Sequence, residues 1–375
     1  MKIAPTITED DAFLPASWRV VTALLTRPAL TQAELRAATG LSHPVIVQQV
    51  NALRAQALVI AGPLRYGRPG RPGTPLTFNW HCRRVLVLDV HPLGCTARAM
   101  DLAASPLGAP RTAALRAWEP RSLRQTLVRL IARMLKEPGA PWAGIGIALP
   151  GSASPDGQTL LTCAGMADCM PDPLAGALHA RFHLPVVLDS EANALAYSAW
   201  ARQPSAPDRL MAMSLRHAPR VGLGLLLDGQ RVPGIAVECA GLGTVRVDAN
   251  GAAGRVGPAP CLHALLAAAR DDAGLRPHAM TALGTVLAPL VTALAPQYLA
   301  LQGDSAWTAE DTARFHSALT AHASPSALSA LTLETHPATP HAGLDGMAGV
   351  LINRLLDFRQ GVIGHWLVTA PALQA

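Results

Sequence analysis

Charge is scarce in this sequence of 375 residues: Asp, Glu, Lys and Arg make up 15% of it, and half of the residues are apolar. That balance excludes a disordered chain, which combines low hydrophobicity with high charge, and leaves material for a core of real size. Lysine is nearly missing, two residues against 29 arginines, a bias that codon composition alone can produce and that carries no function by itself. The six cysteines, Cys82, Cys95, Cys163, Cys169, Cys239 and Cys261, include no Cys-x-x-Cys pair, and the chain is far larger than a disulfide-stapled scaffold. They are expected to be free thiols in a reducing compartment. No basic, apolar leader opens the chain, where Glu9, Asp10 and Asp11 stand instead, and no uninterrupted apolar run approaches the ~18 residues of a membrane span. The expectation is a cytoplasmic protein with no membrane partner, built from two or three domains of ordinary size.

The net charge of +6 is unevenly placed. Residues 1 to 80 hold eight basic residues against four acidic ones, and the other 295 hold 23 against 21. An anionic partner would therefore be steered to the first fifth of the chain. There Val20, Val21, Leu24 and Leu25 fall at helical spacing up to Pro28. Thr31-Gln32-Ala33-Glu34 reads as a capping box, with hydroxyl and carboxylate each satisfying an orphan amide of a second helix. That helix should stop at Thr39-Gly40-Leu41, where glycine tolerates the left-handed conformation of a tight turn. Ser42 then caps a third helix, with Pro44 in its first turn.

On the third helix Ile46, Val50 and Leu53 share one face, leaving Ser42, His43, Val45, Val47 and Gln48 as groove-facing candidates. Two helices joined by a short glycine turn match the helix-turn-helix that lays a recognition helix in the major groove of double-stranded DNA. Gln suits adenine and Val a thymine methyl, but no Arg or Lys stands among these positions. Strands at 58–61 and 76–78 flank a Gly- and Pro-rich loop without acidic residues, a wing whose Arg65, Arg68 and Arg71 would contact phosphates or a narrow minor groove. The competing reading is a three-helix dimerisation or docking module with a hinge behind it.

Beyond Trp80 strands and helices alternate, which predicts an α/β body. Residues 85–90, 96–101, 143–149 and 185–188 read as strands, a short one follows Pro106, and 121–136 is an amphipathic helix. The polar turn Asp189-Ser190-Glu191 closes the last of these strands, where ligand crevices form in such sheets. A second lobe repeats the design, with strands at 210–215, 221–227, 298–301 and 331–335 and helices at 262–270, 282–294 and 344–356. The division expected is 1–80, 81–200 and 201–375, with a cleft between the last two.

The order Thr31-Q-A-E-L-R-A-A-T-G-L-S42, G-R-P-G-R-P (67–72), V-L-V-L-D-V (85–90), G-I-G-I-A-L-P-G (144–151), L-P-V-V-L-D-S-E-A-N (184–193) and V-G-L-G-L-L-L-D-G (221–229) resembles the ROK family, named for repressor, open reading frame and kinase. The resemblance runs through nearly the whole chain. It implies a winged helix-turn-helix followed by a two-lobed actin-like, sugar-kinase-like body of ribonuclease H-like topology. In the repressor branch this means operator binding as a dimer or tetramer and a response to sugars or their derivatives.

Against the kinases of that family the chain departs at each motif. Their D-x-G-G-T-K becomes Asp89-Val-His-Pro-Leu-Gly94, so His91 and Pro92 replace the phosphate-cradling glycines, and Pro92 has no N–H to donate. Their second phosphate loop survives only as Arg220-Val-Gly222-Leu-Gly224, which reads equally as a strand. The catalytic aspartate of E-N-D-A-N becomes Glu191, which can either bond a ligand hydroxyl or serve as a solvated, helix-capping carboxylate. Aligned on Cys261, two zinc cysteines become Gly254 and Val256, the zinc histidine Thr244, and the sugar-binding glutamates Gly241 and His263. One thiolate cannot hold a tetrahedral zinc, which leaves Cys261 as a buried thiol. The expectation is a regulator with no catalytic residue, metal or cofactor, and with Asp189, Glu191, Asn193 and His91 as candidate effector contacts. The alternative is an active sugar kinase carrying an added N-terminal module.

Overall fold

The computed structural model describes residues 14–357 apart from 28, 64–72, 167, 168, 170, 204, 206, 217–220, 233–239, 248–252, 255–259, 304–306 and 337–341. Three helices open it, α1 (Ala16–Thr26), α2 (Gln32–Thr39) and α3 (His43–Ala55). The capping box of α2 forms: the Glu34 amide donates to Thr31 Oγ1 at 3.3 Å and the Thr31 amide to Glu34 Oε2 at 2.8 Å. Gly40 ends α2 with φ 66°, and the Arg19 guanidinium donates to the Thr39 carbonyl, a cation at the negative end of the helix. Trp18, Val21 and Leu24, Leu35, and Ile46, Val50 and Leu53 bury the inner faces of the three helices. Strands β1 (Val59–Ala61) and β2 (Leu76–Phe78) pair antiparallel, with Val59 opposite Phe78, and Leu30 bridges to Leu76. This is the winged helix expected. The wing tip with Arg65, Arg68 and Arg71 lies outside the described residues.

The first lobe comprises β3 (Arg84–His91), β4 (Gly94–Asp101), β5 (Arg111–Ala114), α4 (Pro120–Met134), β6 (Trp142–Leu149), the hairpin β7 (Gly151–Ala153) and β8 (Leu160–Cys163), α5 (Leu174–Phe182), β9 (Val186–Ser190) and α6 (Glu191–Arg202). Its sheet runs β5-β4-β3-β6-β9, an antiparallel meander followed by two strands parallel to β3. The second lobe holds β10 (Arg209–Ser214), β11 (Gly222–Leu227), β12 (Gln230–Arg231), α7 (Ala240–Thr244), β13 (Arg246–Val247), β14 (Ala253–Gly254), α8 (Leu262–Asp271), α9 (Arg276–Leu294), β15 (Tyr298–Gln302), α10 (Ala309–His322), α11 (Pro325–Leu328), β16 (Thr332–His336) and α12 (Ala342–Leu356). Its sheet, β12-β11-β10-β15-β16, repeats the first with the same strand directions.

Buried side chains arrange these elements in five layers. Helices α4 and α5 cover one face of the first sheet, and α8, α9 and α10 one face of the second. Between the sheets lie α12, packed on β3 and β6, and α6, packed on β10 and β11. The division at residue 200 thus separates the sheets but not these helices: α6 ends the first lobe's sequence yet covers the second sheet, and α12 does the reverse. The two helices touch backbone to backbone, since a Cβ on Gly346 would fall 1.6 Å from the Ala194 carbonyl oxygen. Residues Ala273–Leu294 have the length and apolarity of a membrane span, but α9 buries Met280, Leu283, Leu287 and Val291 in the second lobe's core.

The winged helix is joined firmly to the first lobe. Leu58, Phe78, Cys82, Val85, Met100 and Leu102 belong to one apolar cluster, and the Asn79 amide donates to the Leu58 carbonyl at 2.8 Å. Arg83 Nη1 donates to the Gln56 carbonyl at 3.3 Å.

Candidate nucleic-acid interface and interlobe cleft

With Ile46, Val50 and Leu53 turned into the core, the opposite face of α3 is open to solvent. Ser42, His43 and Gln48 are exposed, whereas Val45 and Val47 are half-buried on its flanks. Ser42 holds the N-cap position, φ −67° and ψ 156°, but its side chain makes no capping hydrogen bond, contrary to the expectation. Two exposed residues further along α3, Asn51 and Arg54, were not among the sequence candidates, and Arg36 on α2 is exposed too. The periodicity that identified the buried triad also places Asn51 outward.

In the body, the strand ends of both lobes carry the remaining candidates. Asp189 and Ser190 close β9 instead of forming a turn, and Ser190 caps α6 by accepting from the Asn193 amide at 3.1 Å. Asp189 Oδ1 accepts from Asn193 Nδ2 at 2.7 Å and from the Ser190 amide at 2.8 Å, so two of the four candidate effector contacts are spent on each other. Glu191, the first residue of α6, is 7% exposed, which excludes a solvated carboxylate, and Ser214 Oγ donates to its Oε1 at 3.2 Å. His91 closes β3 two residues after Asp89, half-buried on the same side of the strand.

Two arginines that sequence reading did not single out cross from the second lobe to these carboxylates. Arg216 Nη2 donates to Asp89 Oδ2 at 2.9 Å, and Arg231 Nη1 lies 3.2 Å from Asp189 Oδ2. Burial works against the Arg216 charge, but Asp89 and Glu191 outweigh it and hold the guanidinium above its usual range. Arg354 of α12 donates to the Pro155 carbonyl at 3.0 Å. Burial and the neighbouring Arg231 bring Arg354 down to about 10, and burial together with Asp189 pushes the Tyr197 phenol up to about 12. The cleft is therefore lined by ion pairs internal to the protein.

The segments that the resemblance aligns with the kinase phosphate loops are turn and strand residues here. His91 pairs with Gly94 across a two-residue turn, Pro92-Leu93, with Leu93 81% exposed. Gly222 and Gly224 are strand residues opposite Ser214 and Ala212, and a Cβ on Gly224 would meet the Ala192 carbonyl oxygen at 2.3 Å, so this glycine serves the seating of β11 on α6. His263, in the first turn of α8, lies against Gly243 and accepts from the Val221 amide at 3.4 Å. Cys261 caps α8 half-buried, less enclosed than expected, and Gly254 pairs with Arg246 in a small hairpin. Cys239 and Val256 lie outside the described residues; among those described, no three His, Cys, Asp or Glu residues gather as a metal-binding group.

The sequence model of the ROK family matches residues 116–282, and that of the MarR family residues 13–65. The xylose repressor of Bacillus subtilis (strain 168) is 22% identical over 232 residues, 61% of this chain but only 59% of that protein, less than two thirds of its length. A solved ROK family transcriptional regulator, described as a homologue of the E. coli MLC protein, superposes with a TM-score of 0.72 at 16% identity, covering 94% of this chain and 98% of its own. The ROK hexokinase from Thermus thermophilus superposes with a TM-score of 0.58 at 19% identity, covering 74% of this chain and 100% of its own. The chain thus carries a region similar to the ROK family at residues 116–282, within a duplicated α/β body, and behind a winged helix whose residues 13–65 are similar to the MarR family.

Proposed function

We propose that this protein is a cytoplasmic DNA-binding transcriptional regulator, acting as a repressor, whose sugar-kinase-like body has no catalytic role and serves to dimerise and to sense a sugar or sugar derivative. The observation that carries this reading is the open outer face of α3, carrying Ser42, His43 and Gln48 above a buried apolar triad. A docking module would be expected to present apolar surface there. The wing arginines Arg65, Arg68 and Arg71, with exposed Arg36 and Arg54, supply charge for phosphates. A dimer sets two α3 helices on half-sites about 34 Å apart, or a multiple of that.

Loss of catalysis is supported by Arg216. A general base must reach the proton it removes, and the Glu191 carboxylate is instead engaged by Ser214 and faces the Arg216 charge. Asp89 is paired with the same guanidinium. An effector entering this cleft competes with internal contacts, since Asp189 and Asn193 satisfy each other and Glu191 is held by Ser214.

Selection of bound duplexes from a random DNA pool, repeated with candidate sugars, tests the proposal alongside an ADP-release assay over hexoses and amino sugars. A recovered inverted repeat without ADP release is the expected result. ATP-dependent turnover that disappears in Glu191→Gln would establish the kinase instead.

A further inference from the structure

We infer that Gln48 and Asn51 act together as a sequence reader, each recognising the adenine of one of two neighbouring A·T base pairs in the major groove of a half-site. The inference rests on the DNA-binding reading above. The face of α3 opposite Ile46, Val50 and Leu53 consists of Pro44, Gln48, Asn51, Ala52 and Ala55, all exposed. Among these five side chains only Gln48 and Asn51 can make hydrogen bonds. They stand three residues apart, side by side on the helix surface, with Ala52 and Ala55 small enough to let the helix approach the base edges.

A carboxamide presents one donor and one acceptor in a plane, which matches the N6 amino group and N7 of adenine. Guanine offers two acceptors on the same edge and would set O6 or N7 against the carboxamide oxygen. No arginine or lysine stands on this face to favour guanine. Three residues of helix advance about 4.5 Å, close to the spacing of about 3.4 Å between stacked bases, so the two side chains fall on adjacent base pairs. His43 and Arg54 share a flank of α3 between its buried and outward faces, the position from which a helix seated in a groove meets the phosphate backbone.

The test is duplex selection with the full chain, followed by competition binding in which each selected A·T pair is changed to G·C, for the wild type and for Gln48→Ala, Asn51→Ala and Gln48→Arg. The wild type should select two adjacent adenines per half-site and discriminate about 5- to 150-fold at each. Each alanine variant should lose discrimination at one of the two positions while keeping its thermal midpoint and the salt dependence of binding, and Gln48→Arg should move the preference at its position to guanine. Selection of G·C at these positions, or full discrimination retained by both alanine variants, overturns the inference while leaving DNA binding intact. Failure of the wild type to bind any duplex overturns the DNA-binding reading and this inference with it.

Discussion

Arg216 brings its charge to a place where the carboxylates of Asp89 and Glu191 are already buried. Its side chain is 10% exposed and that of Asp89 1%, so the pair is shielded from solvent ions and should respond little to salt. Removing one partner of such a pair leaves an uncompensated charge in the interior, which typically costs about 3–5 kcal/mol. Arg216→Ala is accordingly expected to lower the thermal unfolding midpoint strongly, and adding Asp89→Asn to recover part of the loss. A melt of Arg216→Ala that matches the wild type would show that the guanidinium does not neutralise the cleft. None of this is visible in the sequence, where Arg216 and Asp89 lie 127 positions apart and neither arginine of the cleft belongs to a recognisable motif. The family resemblance located Asp189, Glu191 and Asn193 but not their partners, because hydrogen bonds across a cleft leave no local pattern. Asn51 follows from the helical period, which sets it on the face opposite Ile46, Val50 and Leu53.

Helices and strands with a strong local signature were legible. The Thr31 and Glu34 box announced α2, and the second sheet was recognisable as a repeat of the first because its buried strands are apolar runs bounded by polar turns. Helices α5, α7, α10 and α11 were not predicted from the sequence. α10 opens with the same device, Thr308 with Asp311 in place of a glutamate, and its charged residues Glu310, Asp311 and Arg314 mask the apolar face of Phe315 and Leu319. α5 is short and interrupted by Gly176. The crossing of α6 and α12 is a property of packing and depends on glycine at Gly346. Gly346→Ala should therefore force the helices apart and reduce stability or soluble yield. Gly176→Ala, exposed in α5 with nothing within 4 Å of the added methyl, should stabilise by about 0.5–1 kcal/mol. Comparative denaturant titration checks both, and equal effects of the two substitutions would contradict the backbone contact.

For the molecule as a whole, the winged helix continues into the first lobe through one apolar cluster, and the lobes are tied across their cleft by Arg216 and Arg231. The duplicated architecture followed from strand and helix alternation, whereas the central helix pair that binds its halves required three dimensions. Equilibrium binding of the full chain to labelled duplex from upstream of its own coding sequence, titrated with salt, tests DNA reading by the front module most directly. Affinity should exceed that for unrelated duplex, fall steeply as salt rises, and show a log–log slope reduced by about 1 for each of Arg68→Ala and Arg71→Ala. No binding at low salt, or affinity equal for both duplexes and indifferent to salt, would contradict the account.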